Sequence, residues 1–144
     1  MALSFSLLIT SLVLAGCYSV SRTYVDTGYE VRIGRKLVAL KDEALIRYES
    51  GREIGGDKVE TLSRALYYTG TADTSISFLW QVFQRSNRGS GAVHKSSFKY
   101  SISAIPFTMT VRGFDIQIHE ADHHHVSYTI LRAEPQDLGE SQDN

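Results

Sequence analysis

The sequence predicts an all-β domain, an antiparallel β-sandwich or barrel of about seven to nine strands, and three observations carry that prediction. Between the two ends of the chain, apolar side chains recur mostly at every second position, the spacing of a strand with one buried face. Thr, Tyr, Ile, Val and Phe are abundant, and these branched and aromatic side chains suit a pleated, half-buried surface. Proline occurs only twice, at Pro106 and Pro135, which leaves the backbone donors of the intervening segments free for sheet ladders.

The elements are taken in chain order. KLVAL and ALIRYES read as two strands meeting at a charged turn, residues 41–43. DKVETLSRALYYTG carries two patterns at once. Asp57 is a candidate N-cap with Glu60 three residues on, Val59, Leu62 and Leu66 share a helical face, and Gly70 would end the helix. A helix over 57–69 is therefore the competing reading of this one segment. The strand reading prevails, because ALYYTGT and SISFLWQVF are rich in β-branched and aromatic residues and flank a turn-forming stretch at residues 69–73. In SISFLWQVF the alternation turns Ile76, Phe78, Trp80 and Val82 to one face. SSFKYSISAI sets Phe98, Tyr100, Ile102 and Ala104 opposite Ser97, Lys99, Ser101 and Ser103. FTMTVRGFDIQIHE turns Phe107, Met109 and Val111 inward, passes a tight turn or bulge at Arg112-Gly113, and continues with Phe114, Ile116 and Ile118. VSYTIL adds Val126, Tyr128 and Ile130.

The two ends differ from this body. Residues 2–16 carry no charge, and eleven of the fifteen are Ala, Leu, Phe, Ile, Val or Gly. A bilayer-spanning helix needs roughly 20 apolar residues, so the run is short for one, and its small-residue end fits the cleavage zone of a secretory signal. It closes on Leu14-Ala15-Gly16-Cys17, which resembles the lipobox of bacterial lipoproteins that are processed by signal peptidase II. That resemblance covers only the N-terminal sixth of the chain. It implies a signal peptide over 1–16, a diacylglyceryl thioether on Cys17, cleavage before it and acylation of the new amine. Several acyl chains, each CH₂ contributing about 0.8 kcal/mol of membrane affinity, would hold the protein permanently on the bilayer. Tyr18 comes after the cysteine where Asp marks inner-membrane retention in enteric-type Gram-negative bacteria, which implies the periplasmic face of the outer membrane. The serial hairpins also resemble those of small bacterial lipoprotein domains, a likeness that implies no activity.

Cys17 is the only cysteine, so a lipidated chain has no thiol left for a disulfide, and the domain at 17–133 must be held by its core. The stretch 134–144, AEPQDLGESQDN without its first alanine, is acidic and poor in large apolar residues, and reads as a flexible tail.

Two clusters are candidates for function. GSGAVHKS, residues 89–96, lacks the glycine that a phosphate-binding loop requires before Lys95, where His94 stands. It reads instead as a basic loop. Arg85, Arg88, Lys95 and Lys99 are the candidate anion-binding residues, with a solvated hairpin loop as the plainer account. Residues 65–113 hold five Lys or Arg against one Asp, whereas residues 114–144 hold one against seven acids. HEADHHH supplies the ligand types for zinc or nickel, with His119, His123 and His125 as the candidate set. The reading favoured here is a solvent-exposed turn, because successive rings point apart and only His94 stands elsewhere in the chain.

No serine lies in a nucleophile-elbow context and the carboxylates are scattered, so no catalytic set is assembled and no cofactor is expected. A net charge of −1 on an exported domain argues against nucleic acid. The expected function is a non-enzymatic, lipid-anchored envelope module. Its expected partners are the membrane and another envelope protein, and the competing class is a lipoprotein that binds a small ligand, anion or metal.

Overall fold

The computed structural model describes residues 21–26, 32–86 and 88–135. Cys17, the apolar run before it and the acidic stretch after Pro135 lie outside the described residues. Nine strands form two antiparallel sheets. They are β1 (Ser21–Asp26), β2 (Lys36–Leu40), β3 (Ala44–Ile54), β4 (Asp57–Ala72), β5 (Ser75–Ser86), β6 (Gly89–Ser101), β7 (Phe107–Val111), β8 (Phe114–Ala121) and β9 (His125–Ala133). The larger sheet runs β1-β3-β4-β5-β6 and the smaller β2-β9-β8-β7. Both sheets have open edges, which makes the fold a sandwich and not a closed barrel.

The predicted alternation places the core. Ile76, Phe78, Trp80 and Val82 of β5 are buried together with Leu66 and Tyr68 of β4 and Ile46 and Tyr48 of β3. From the smaller sheet, Met109, Val111, Phe114, Ile116, Ile118, Val126, Tyr128 and Ile130 meet them. Tyr48 sits at the seam, its ring centroid 6.1 Å from that of Trp80 and 5.5 Å from that of Phe114 across the interface. Tyr100 stacks on Phe107 at 4.6 Å and closes the seam along β6 and β7. Tyr128 donates its hydroxyl to the Leu45 carbonyl at 2.9 Å, and burial pushes its phenol up to about 12.

Some expectations hold in detail and others are corrected. Residues 57–69 are strand throughout, because Gly55 and Gly56, both at positive φ, close a hairpin with β3 where a helix cap was the alternative. The β4–β5 turn is Asp73-Thr74, not 69–73. Gly70 lies within β4 at a register shift, and its φ of 104° is one that only glycine adopts readily. The stretch 89–96 is no loop but the first part of β6, an edge strand paired to β5 along its length. The strand expected to reach Ala104 stops at Ser101. Ile102–Ala104 form a short 3₁₀ turn that leaves Ala104 exposed, ahead of a cis Ile105–Pro106 bond. The charged turn at 41–43 joins β2 of one sheet to β3 of the other, so it is a crossover between layers. Arg112-Gly113, both at positive φ, make the tight β7–β8 hairpin.

The two sheets differ in length. β3, β4, β5 and β6 have 11 to 16 residues, whereas the strands of the smaller sheet have 5 to 9. The core therefore covers only part of the larger sheet. Near its margin on β4 lies Arg64, 4% exposed, whose Nη1 donates to Ser50 Oγ and whose guanidinium lies 5.6 Å over the Tyr48 ring, with Leu62 beyond it still packed against the core.

Removing a large buried ring leaves a cavity that costs about 3–5 kcal/mol. Trp80→Ala should lose that much in urea unfolding, whereas Phe83→Ala, three positions on and 41% exposed, should lose less than about 1 kcal/mol. Equal losses at the two positions would mean that the faces of β5 are misassigned.

Candidate functional site

The outer face of the larger sheet is where the predicted cations come together. On β4, the residues alternating with the core set are Thr61, Ser63 and Ala65, all small. Their cross-strand neighbours are long except for Gly51. Ala65 lies in register between Arg47 of β3 and Gln81 of β5, Ser63 between Glu49 and Phe83, and Thr61 between Gly51 and Arg85. Small residues on a central strand between larger ones on its flanks make a trough along β4. It is lined by Arg47, Ala65, Tyr67 and Gln81 at one end and by Glu49, Lys58, Val59, Thr61, Arg85 and Ser86 at the other, with Ser63 and Phe83 shared. Ala65 is only 5% exposed although it faces solvent, which shows how closely the walls stand over the floor.

Register extends the same face to β6. Lys95 pairs with Gln81, and Lys99 with Ser77, so both lysines project beside the trough. Arg88 occupies the β5–β6 turn at one end of the sheet. The four residues singled out from the sequence thus belong to one sheet, three of them on its outer face and Arg88 at its end. Arg47 is the member that sequence reasoning missed, since it lies well upstream of them and only pairing to β4 brings it near. Among the described residues none of Arg47, Arg85, Lys95 and Lys99 has a carboxylate within ion-pair distance. Lys58 is bonded to Glu49 at 2.9 Å.

The smaller sheet behaves differently. On its outer face Lys36 pairs with Glu120 at 3.6 Å, and Arg132 with Asp115 at 2.7 Å. The Arg132 guanidinium and the Thr110 hydroxyl hold the Asp115 carboxyl below the usual carboxylate range. His119 Nε2 and Thr129 Oγ1 are 2.7 Å apart on this face. Lys36 and Arg132 are thus ion-paired on this face, while Arg47, Arg85, Lys95 and Lys99 of the larger sheet have no such partner among the described residues.

The histidine turn is a fastening. Asp122 Oδ1 accepts from the backbone N–H of His124 at 2.7 Å and of His125 at 2.8 Å, and these bonds lower its pKa. His125 Nδ1 lies 2.9 Å from Asp122 Oδ2, and His123 Nδ1 lies 3.4 Å from the Thr71 carbonyl. The Asp122 carbonyl accepts from the Tyr68 hydroxyl, and the His124 carbonyl accepts from the Lys41 N–H at 2.7 Å. A Cβ at Gly70 would stand 3.5 Å from the His123 carbonyl oxygen, in ordinary van der Waals contact, so it is the positive φ and not the space that favours glycine here. The candidate metal set does not converge, since His119, His123 and His125 each turn to a different partner. Among the described residues no group of three or more His, Cys, Asp or Glu side chains is arranged to hold a metal ion.

Compared with known protein families, with curated proteins and with solved structures, the chain gives no match. Among the described residues no helix is long and apolar enough to cross a membrane.

The turn generates a pH prediction. A carboxylate whose folded pKa is depressed contributes stability that is present above its unfolded value, about 3.9, and is lost as pH falls through the lower folded value. Asp122 and Asp115 are both of this kind. The urea midpoint should therefore fall steeply below about pH 4. Asp122→Asn retains an acceptor for the two N–H groups but cannot titrate, so it should flatten that limb. An unchanged slope in the variant would show that Asp122 does not contribute to the acid transition.

Proposed function

We propose that this protein is a lipid-anchored envelope module, tethered through Cys17 at the periplasmic face of the outer membrane, which holds a partner on the outer face of its larger sheet. The observation that carries the reading is the Leu14-Ala15-Gly16-Cys17 sequence, with the first strand of a sandwich beginning four residues later. A thiol after small residues is what lipid transfer and the cleavage before it require. The folded part then needs no disulfide, because two sheets already bury a continuous aromatic and aliphatic core.

The partner is read from the cations that have no ion-pair partner among the described residues. Arg47, Arg85, Lys95 and Lys99 are spread over three strands, β3, β5 and β6, with Phe83 and Tyr67 between them. Adjacent strands lie about 4.8 Å apart and a rung along a strand rises about 3.3 Å. On that spacing Arg47 and Lys95, three strands apart in one register row, are about 14 Å from each other. Such separation suits an extended acidic surface of another envelope protein better than one small anion. Charge complementarity of this kind sets specificity and the rate of encounter.

The tether is tested directly. Cys17→Ser should abolish incorporation of labelled palmitate and leave the chain unprocessed or released from membranes. A variant that still takes up label and sediments with membranes would contradict the reading. In a sucrose gradient the native chain should travel with outer-membrane markers, and co-migration with inner-membrane markers would overturn the assigned location.

A further inference from the structure

The tether and the sheet register together fix which way the domain faces. Only residues 18–20 separate Cys17 from Ser21, and at 3.3–3.6 Å per residue the chain between them spans at most about 14 Å. Ser21 opens β1 and pairs with Ile54, the last residue of β3. The beginning of β1 therefore lies beside the β3–β4 turn, at the end of the larger sheet that extends past the smaller one. The β5–β6 turn lies at the same end, since Ser86 pairs with Glu60 on β4 and with Gly89 on β6.

This end is mixed in charge, and its arginines are the groups that can meet anions. Arg52, Arg85 and Arg88 are exposed there, and none has an ion-pair partner among the described residues. The acids nearby are Glu53 and Asp57, with Glu49 held by Lys58 and Glu60 accepting from Gln84. The tip of the hairpin is Gly55-Gly56, with open space around both, so no bulky side chain holds the backbone off a flat surface. The opposite end is acidic. Asp42, Glu43, Asp73 and Asp122 cluster on its three turns, with Lys41 the lone Lys or Arg on those turns.

We propose that the end formed by the β3–β4 and β5–β6 turns rests on an anionic lipid surface, with Arg52, Arg85 and Arg88 on the headgroups and the acidic end turned away from the bilayer. The proposal rests on the lipid tether at Cys17. Attraction between basic residues and anionic lipid acts only within about a Debye length, 8–10 Å at moderate salt, and a tether of at most about 14 Å lets this end come within that distance. The outer face of the larger sheet then stands beside the membrane, open to a partner.

The test uses the full chain, lipidated in cells, extracted and reconstituted into vesicles of phosphatidylcholine containing phosphatidylglycerol. Ser90→Cys and Thr74→Cys place a fluorophore near the proposed contact and at the opposite end, both at exposed positions. Headgroup spin-labelled lipid should quench the Ser90→Cys label at least about threefold more than the Thr74→Cys label. Reversing Arg52, Arg85 and Arg88 to Glu should remove at least about half of that difference, as should pure phosphatidylcholine or about 1 M salt. The same three arginines changed to Lys should preserve it, which separates lost charge from lost folding. Equal quenching at both ends, stronger quenching at Thr74→Cys, or indifference to charge reversal would overturn the orientation. A chain that takes up no palmitate would sink the tether itself, whereas a lipidated chain with an unquenched Ser90→Cys label would sink the orientation alone.

Discussion

Everything in this fold depends on one contact between layers, the Tyr48 ring set against Trp80 in its own sheet and Phe114 in the other. Aromatic rings bury more area than any other side chain, and tilted pairs at this spacing add about 0.5–1.5 kcal/mol beyond that burial. The three rings lie where the smaller sheet ends, so they fix how far the core extends under the larger one. Beyond them the inner face of the larger sheet turns polar. Arg64 marks the boundary. Its buried guanidinium is accommodated by the Tyr48 ring and the Ser50 hydroxyl, a neutral pair of partners.

That boundary separates two mechanical roles. At one end of the sandwich the Lys41 N–H ties the 41–43 turn to the 122–124 turn and the Tyr68 hydroxyl ties the latter to β4, while the Asp122 side chain closes its own turn. At the other, the β3–β4 and β5–β6 hairpins project without a covering sheet. The locked end holds the crossover at 41–43, which carries the chain from one layer to the next. The projecting end carries glycines and arginines and lies next to the first strand. A long sheet on a short one thus gives a rigid body with two distinct poles.

Much of this was legible in the sequence, because period-two alternation states which residues share a face. Ile76, Phe78, Trp80 and Val82 are buried as that pattern requires, as are Phe114, Ile116 and Ile118. Alternation says nothing about which strand pairs with which. That is why Arg47 was missed beside Ala65, and why β2 and β3, adjacent in sequence, proved to belong to different sheets. Bulges are equally silent. The shifts at Tyr68/Gly70 and Val82/Phe83 each insert a residue and exchange the two faces from that point along the strand. The second falls where residues 89–96 pair with β5, so a stretch whose alternation is interrupted still forms part of an edge strand. A signal for Arg64 was present, since it has the same parity as Leu62 and Leu66. An arginine in that series is a buried charge in the making. The histidine turn was read from its composition as a turn, but the local Asp122 and Thr71 contacts that set its rings are not legible there.

The central claim is that the larger sheet's outer face, with its unneutralised cations, is the surface that meets a partner, while the smaller sheet's outer face is closed by its own ion pairs. Photo-crosslinking in intact cells tests it most directly, with a benzophenone amino acid placed at Gln81 or Phe83 on the one face and at Thr108 on the other. The account predicts a discrete adduct with one acidic envelope protein from Gln81 and Phe83 and none from Thr108. Adducts from Thr108 alone, or none from either β5 position in cells where the chain is lipidated, would contradict it.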